Sequence, residues 1–126
     1  MLAINDVTYQ IRGAIFKVHR ILGPGLLESV YEAALAHELK QSGLKVSTQV
    51  RVPVKYGEVL LDVGFIIDLL VEDAVIIEIK SVEDLHNVDK KQLLTYLKLT
   101  NKKIGLLVNF NVTSLIDKES LIRIIN

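Results

Sequence analysis

One stretch, Gly64–Ser81 with the sequence GFIIDLLVEDAVIIEIKS, constrains this chain more than any other. It reads as two short strands joined by an acidic turn. A run so rich in Ile, Leu and Val is expected to be buried on at least one face of a sheet. Yet Asp68, Glu78 and Lys80 lie within it. Charges in such a place are costly unless they are paired, hydrated or bound to a metal. Any fold for this chain has to resolve that conflict.

Alternation along the strands sharpens it. Glu78 and Lys80 share a face with Ile76, while Val75, Ile77 and Ile79 point the other way. On the preceding strand, Asp68 is expected on the face of Ile66 and Leu70. A hairpin closed by Glu72, Asp73 and Ala74 pairs Val71 with Val75 and sets Asp68 opposite Glu78. A two-residue turn would slip the register and send Asp68 to the far face. A shared site therefore requires the three-residue turn, and Asp73 tolerates the left-handed backbone such a turn often needs.

Two carboxylates and an ammonium on one face suit a hard divalent cation. Mg²⁺ prefers oxygen ligands, keeps several waters, and is usually held by one or two carboxylates plus substrate phosphate. Such an ion can activate water and neutralise charge growing on a phosphodiester. A lysine beside a ligand can orient the water or stabilise the transition state. The competing reading is a buried Asp–Lys–Glu cluster with no further role.

Composition narrows the class without choosing the function. With 126 residues the chain is long enough for one domain, spanning 1–126, with a proper core. Basic and acidic residues balance at 15 each, so net charge is no argument for nucleic acid. The absence of cysteine excludes disulfides, thiolate zinc sites and a cysteine nucleophile. No signal-peptide pattern and no long uncharged apolar run is seen, so no membrane association and a cytoplasmic location are expected.

The flanking segments alternate in type. Residues from about Asn5 to Leu22 are predicted helical, with Ile11, Ala14, Ile15, Val18, Ile21 and Leu22 as the buried stripe and Asn5 or Asp6 as the N-cap. His19 sits near the edge of that stripe and, taken alone, fits a packed or half-exposed residue. Gly23-Pro24-Gly25 ends this helix. A second helix runs from about Leu26 to Gln41, with Leu27, Val30, Tyr31, Ala34, Leu35 and Leu39 as its apolar face. Glu28, in its first turn, suits the helix dipole. Leu44 to Tyr56 alternates like a strand with one wet face, and Pro53 places it at a sheet edge. A strand from about Val59 follows, with Gly64 marking a bulge or close approach.

Asn87 to about Asn101 is predicted as a third helix, with Val88, Leu93, Leu94 and Leu97 toward the core. Gln92 and Tyr96 are stacked one turn apart, and Lys90, Lys91 and Lys98 face solvent. Alone, these residues fit an ordinary amphipathic helix. Lys103 to Phe110 reads as a buried strand and Leu121 to Ile125 as a last short one. The order ααβββαββ implies an α/β architecture on a small mixed sheet, with the third helix as a crossover.

Several motifs together resemble a known family. Gly25–Tyr31, GLLESVY, matches the signature of the GxxExxY family. The segments VHRILGPG at Val18–Gly25, YEAAL at Tyr31–Leu35, DLLV at Asp68–Val71, EIK at Glu78–Lys80, QLLTYL at Gln92–Leu97 and GLLVNF at Gly105–Phe110 are also similar to it. That family is placed in the PD-(D/E)XK nuclease superfamily, near its RecB-like branch. The resemblance implies a restriction-endonuclease-like core and a nuclease dependent on Mg²⁺ or Mn²⁺, with DNA favoured over RNA as substrate. It assigns Asp68 and Glu78 as metal carboxylates and Lys80 as the catalytic lysine. Glu28 becomes an acid near the metal or its waters, and Gln92 and Tyr96 the Q-x-x-x-Y element beside the site. His19 is the candidate histidine ligand of the early helix. Lys90, Lys91 and Lys98 become candidate phosphate contacts. A homodimer or protein partner would enlarge the small recognition surface. Two other readings fit the same residues: a nucleic-acid-binding module with an idle site, and a protein-interaction domain with a structural charge cluster.

Overall fold

The computed structural model describes residues 2–126 and follows the predicted order. Its elements are α1 (Ile4–Leu22), α2 (Glu28–Gln41), β1 (Val46–Tyr56), β2 (Val59–Val71), β3 (Val75–Lys80), α3 (Asn87–Thr100), β4 (Ile104–Asn109) and β5 (Leu121–Ile125). The strands form one sheet in the order β1-β2-β3-β4-β5. Only the β3–β4 pair is parallel, and α3 makes that crossover.

The central hairpin has the predicted three-residue turn. Glu72 and Asp73 both adopt left-handed backbone conformations, and the ladder pairs Val71 with Val75, Leu70 with Ile76 and Leu69 with Ile77. β3 and β4 are buried along almost their whole length, which explains their uninterrupted apolar runs.

Helices cover both faces. One face carries α1 and α2, whose Ile11, Ile15, Tyr31, Leu35 and Leu39 pack with Val75, Ile77, Ile79 and Val108 of the sheet. The other carries α3, whose Leu93 and Leu97 pack with Ile67, Ile76 and Leu107. Gly105 permits that approach: a Cβ there would lie 2.8 Å from Leu93 Cδ1.

Helix ends depart from the pattern-based expectations. α1 starts one residue early, with Ala3 at its N-cap and no side-chain cap, so neither Asn5 nor Asp6 fills that role. Ile21 is 64% exposed because the buried stripe ends at Val18, one turn earlier. α2 begins at Glu28, leaving Leu27 outside it and 75% exposed; Val30 is also exposed. The true contact stripe is Tyr31, Leu35 and Leu39 at i, i+4 and i+8. Val88, in the first turn of α3, is 67% exposed, Leu94 is half-buried, and Lys90 is half-buried rather than solvent-facing. Lys91 and Lys98 are exposed as expected.

β1 is an edge strand, consistent with Pro53. Gly64 is a close-approach position: a Cβ there would lie 2.0 Å from the Val52 carbonyl oxygen. The simple alternation of β1 and β2 does not persist. Leu69 and Val71 pack with the α1/α2 side, whereas Phe65 and Ile67 pack with the α3 side. Val46 and Val50 split in the same way. The β1–β2 ladder skips Gln49 and Asp68 at the crossing point, where Gln49 has φ of 50°. Asp68 consequently does not share the face of Leu70, as uniform alternation would require. Leu70 packs on the α3 side, and Asp68 lines a cleft beneath α2.

Candidate active site

β2 and β3 separate beyond the Leu69–Ile77 pair, and Asp68 and Glu78 fill the fork. Backbone pairing is replaced there by side chains. The Asp68 N–H donates to Glu78 Oε2 at 3.1 Å, and the Ile79 N–H donates to Asp68 Oδ2 at 2.8 Å. The two carboxylates thereby satisfy amides that the ladder leaves behind.

Electrostatically the fork is under tension. Glu78 is 7% exposed. Burial first, and the adjacent Asp68 carboxylate second, push its carboxyl up to about 8, against the lowering influence of the Asp68 amide and Lys80. A buried acid that resists ionisation beside a second acid is a place where a bound cation lowers the free energy. The donors are all oxygens, which suits a hard divalent ion held by two carboxylates and water. Among the described residues, no set of three or more His, Asp and Glu side chains is arranged to hold a metal ion.

Lys80 ends β3 on the same face as Ile76 and Glu78. Its Nζ lies 3.9 Å from Asp89 Oδ1, in the first turn of α3. Asp89 is itself fixed, because its Oδ2 accepts the His86 N–H at 2.9 Å. The loop after Lys80 is pinned from two sides. Buried Asn109 bonds both the amide and the carbonyl of Val82, at 3.1 and 2.9 Å. Ser81 donates its hydroxyl to the Leu26 carbonyl at 2.6 Å and its amide to Glu28 Oε2 at 3.3 Å. Glu28 thus joins the start of α2 to the end of β3.

A cleft of about 490 Å³ opens on the α2 side of the fork, lined by Glu28, Ser29, Glu32, Gln49, Asp68 and Ile79. Glu78 and Lys80, on the Ile76 face of β3, do not line it, so the expected single face for Asp68 and Glu78 is not what the fold builds. Its acids are Glu28 and Glu32 from α2 and Asp68 from the fork. A family model described as the PD-(D/E)XK nuclease superfamily matches residues 5–124. The chain belongs to the PD-(D/E)XK nuclease superfamily. Its five-stranded mixed sheet with helices on both faces is the restriction-endonuclease-like core that membership implies. Comparisons with curated proteins and with solved structures returned no match.

Within this superfamily fold, Asp68, Glu78, Lys80 and Glu28 converge on one region of the sheet. Tyr96 reaches it from the α3 side: its ring stacks on Phe65 at 4.0 Å, and burial with the charges of Glu78 and Asp68 raises its phenol above the usual range. Gln92 lies one turn earlier on α3 and is exposed. His19 is held elsewhere. Its Nε2 bonds the Val112 carbonyl at 2.7 Å, its ring stacks 6.5 Å from Phe110, and it does not line the cleft.

Three residues of the site escaped the sequence reading. Glu32 follows Glu28 by four, a spacing that puts both on one helix face and could have exposed it. Asp89 stands three residues after His86, the capping-box spacing. Gln49 carries no such signal.

Proposed function

We propose that this chain is a nuclease that hydrolyses phosphodiester bonds with Mg²⁺ or Mn²⁺ held by Asp68 and Glu78. The supporting observation is the fork itself: two adjacent carboxylates, one buried and resisting ionisation, with a lysine two residues on along the same strand, 3.9 Å from Asp89. The ion would supply water activation and charge neutralisation at the phosphate. Lys80, beside Asp89, would place its ammonium against a phosphate oxygen as negative charge grows there. Glu28 would orient water at the mouth of the cleft. Tyr96, anchored on Phe65, and Gln92 would contact the substrate from the α3 side, with Lys90, Lys91 and Lys98 meeting flanking phosphates. His19, bound to Val112, is left out of this ligand set.

The GLLESVY motif and the Gln92–Tyr96 pair support a finer placement in the GxxExxY family, near the RecB-like branch. DNA is the proposed substrate on that basis. A second copy or a protein partner would extend the small contact surface. The exposed Tyr56, Val59, Leu60 and Val63 at the far end of the β1–β2 hairpin support such a contact. No helix among the described residues is long and apolar enough to cross a membrane.

Cleavage of single- and double-stranded DNA, assayed with Mg²⁺, with Mn²⁺ and with chelator, tests the reading. Cleavage lost with chelator and reduced about 10²–10³-fold by Lys80→Ala supports it. Metal binding and DNA binding without cleavage would instead favour the idle-module reading.

A further inference from the structure

Gln49 occupies a costly backbone conformation for its position. It sits inside an edge strand with φ of 50°, a region that non-glycine residues rarely enter. The surrounding strand does not need it for pairing, since Thr48 and Val50 on either side keep the same register with β2. The left-handed residue instead coincides with the point where β1 and β2 exchange faces. It also turns a side chain from a wet strand into the acidic cleft.

The amide is placed between two acids. Its Nε2 donates to Glu32 Oε1 and lies 3.4 Å from Asp68 Oδ1. A carboxamide nitrogen carries two hydrogens, one for each carboxylate, and a reversed amide would set its oxygen against both anions. Glu32 therefore fixes which end of Gln49 faces the fork. Asp68 is in turn restrained at both oxygens, Oδ1 by Gln49 and Oδ2 by the Ile79 amide at 2.8 Å.

We propose that Gln49 is a positioning residue for Asp68, with Glu32 as its anchor. The pair sets the orientation of the Asp68 carboxylate before any ion arrives. This inference rests on the metal-site reading above and gives roles to two residues to which the family resemblance assigns none.

Substitution by glycine separates the amide from the backbone. Glycine adopts the left-handed conformation without strain, so Gln49→Gly should fold with a thermal midpoint in chelator equal to or above that of the unaltered protein. It should weaken Mn²⁺ binding, read by calorimetry, by about 10–100-fold. It should also lower kcat with KM for DNA unchanged. A second pair of variants distinguishes positioning from simple charge. Glu32→Gln keeps an acceptor for Gln49 and should bind Mn²⁺ nearly as the unaltered protein does, whereas Glu32→Ala should match Gln49→Gly. If Glu32→Gln and Glu32→Ala weaken Mn²⁺ equally, the anchor role is overturned in favour of charge alone. If Gln49→Gly binds Mn²⁺ normally while Asp68→Asn does not, the metal site stands and the positioning role falls. If the unaltered protein binds no Mn²⁺, both fall together.

Discussion

The two ends of the β2–β3 hairpin are built on opposite terms. At the turn end, Val71 and Val75 pair through the ladder, are fully buried, and sit in the α1/α2 core. At the fork end, one residue beyond the Leu69–Ile77 pair on each strand, the ladder gives way to carboxylates that bond strand amides. The turn end gains stability from apolar burial. The fork end gives some of it up, since a buried acid beside another acid opposes folding unless a proton or a cation is present. The same pair of strands thus separates an apolar half from a charged half over a few residues.

That contrast is sharpened first by isosteric change at the fork. Glu78→Gln should abolish most cleavage, by about 10²–10³-fold or more. In chelator near pH 8 it should unfold at higher urea than the unaltered protein, because the ionisation that opposes folding is removed. Activity assay and equilibrium unfolding on one preparation read both effects. The opposite substitution belongs to the core: Ile77→Ala should cost about 2–5 kcal/mol in urea unfolding.

The pH dependence follows from the same acid. The Glu78 carboxyl has an ordinary value of 4.5 and is pushed up to about 8 in the fold. The folded protein therefore holds a proton across that window that the unfolded chain releases. Its contribution is fully present below about pH 4.5, is lost as pH rises, and is gone above about pH 8. In chelator, stability should fall by up to about 1.4 kcal/mol per pH unit within the window. Glu78→Gln should lack that component, and saturating Mn²⁺ should flatten it.

The smallest effect lies at the turn. Asp73 has φ of 54°, so Asp73→Gly should raise stability by up to about 1 kcal/mol. Its 3.6 Å contact with the half-buried Lys102 is exposed on the Asp73 side and worth little. Mn²⁺ binding should not change.

Much of this arrangement was legible in the chain. The acidic three-residue turn set the register that brings Asp68 and Glu78 together, because a strand period of two leaves few alternatives. The helical stripes located α1, α2 and α3, since burial repeats with the turn of the helix. Periodicity could not say where a helix runs past its support, so Ile21, Leu27, Val30 and Val88 were placed in cores they do not reach. The face of Asp68 was lost for a different reason. It coincides with a left-handed residue at Gln49 on the neighbouring strand, and a glutamine gives no local sign of that conformation. Glu32 and Asp89 were within reach of spacing arguments, but only once the fork showed what they support.

The most direct test of the account is calorimetric titration of Mn²⁺ into the unaltered protein and into Asp68→Asn/Glu78→Gln. The account predicts binding by the unaltered protein, and none by a double variant that remains folded and is more stable in chelator at pH 8. Equal binding by both, or none by either, would contradict it and leave the fork a structural charge cluster.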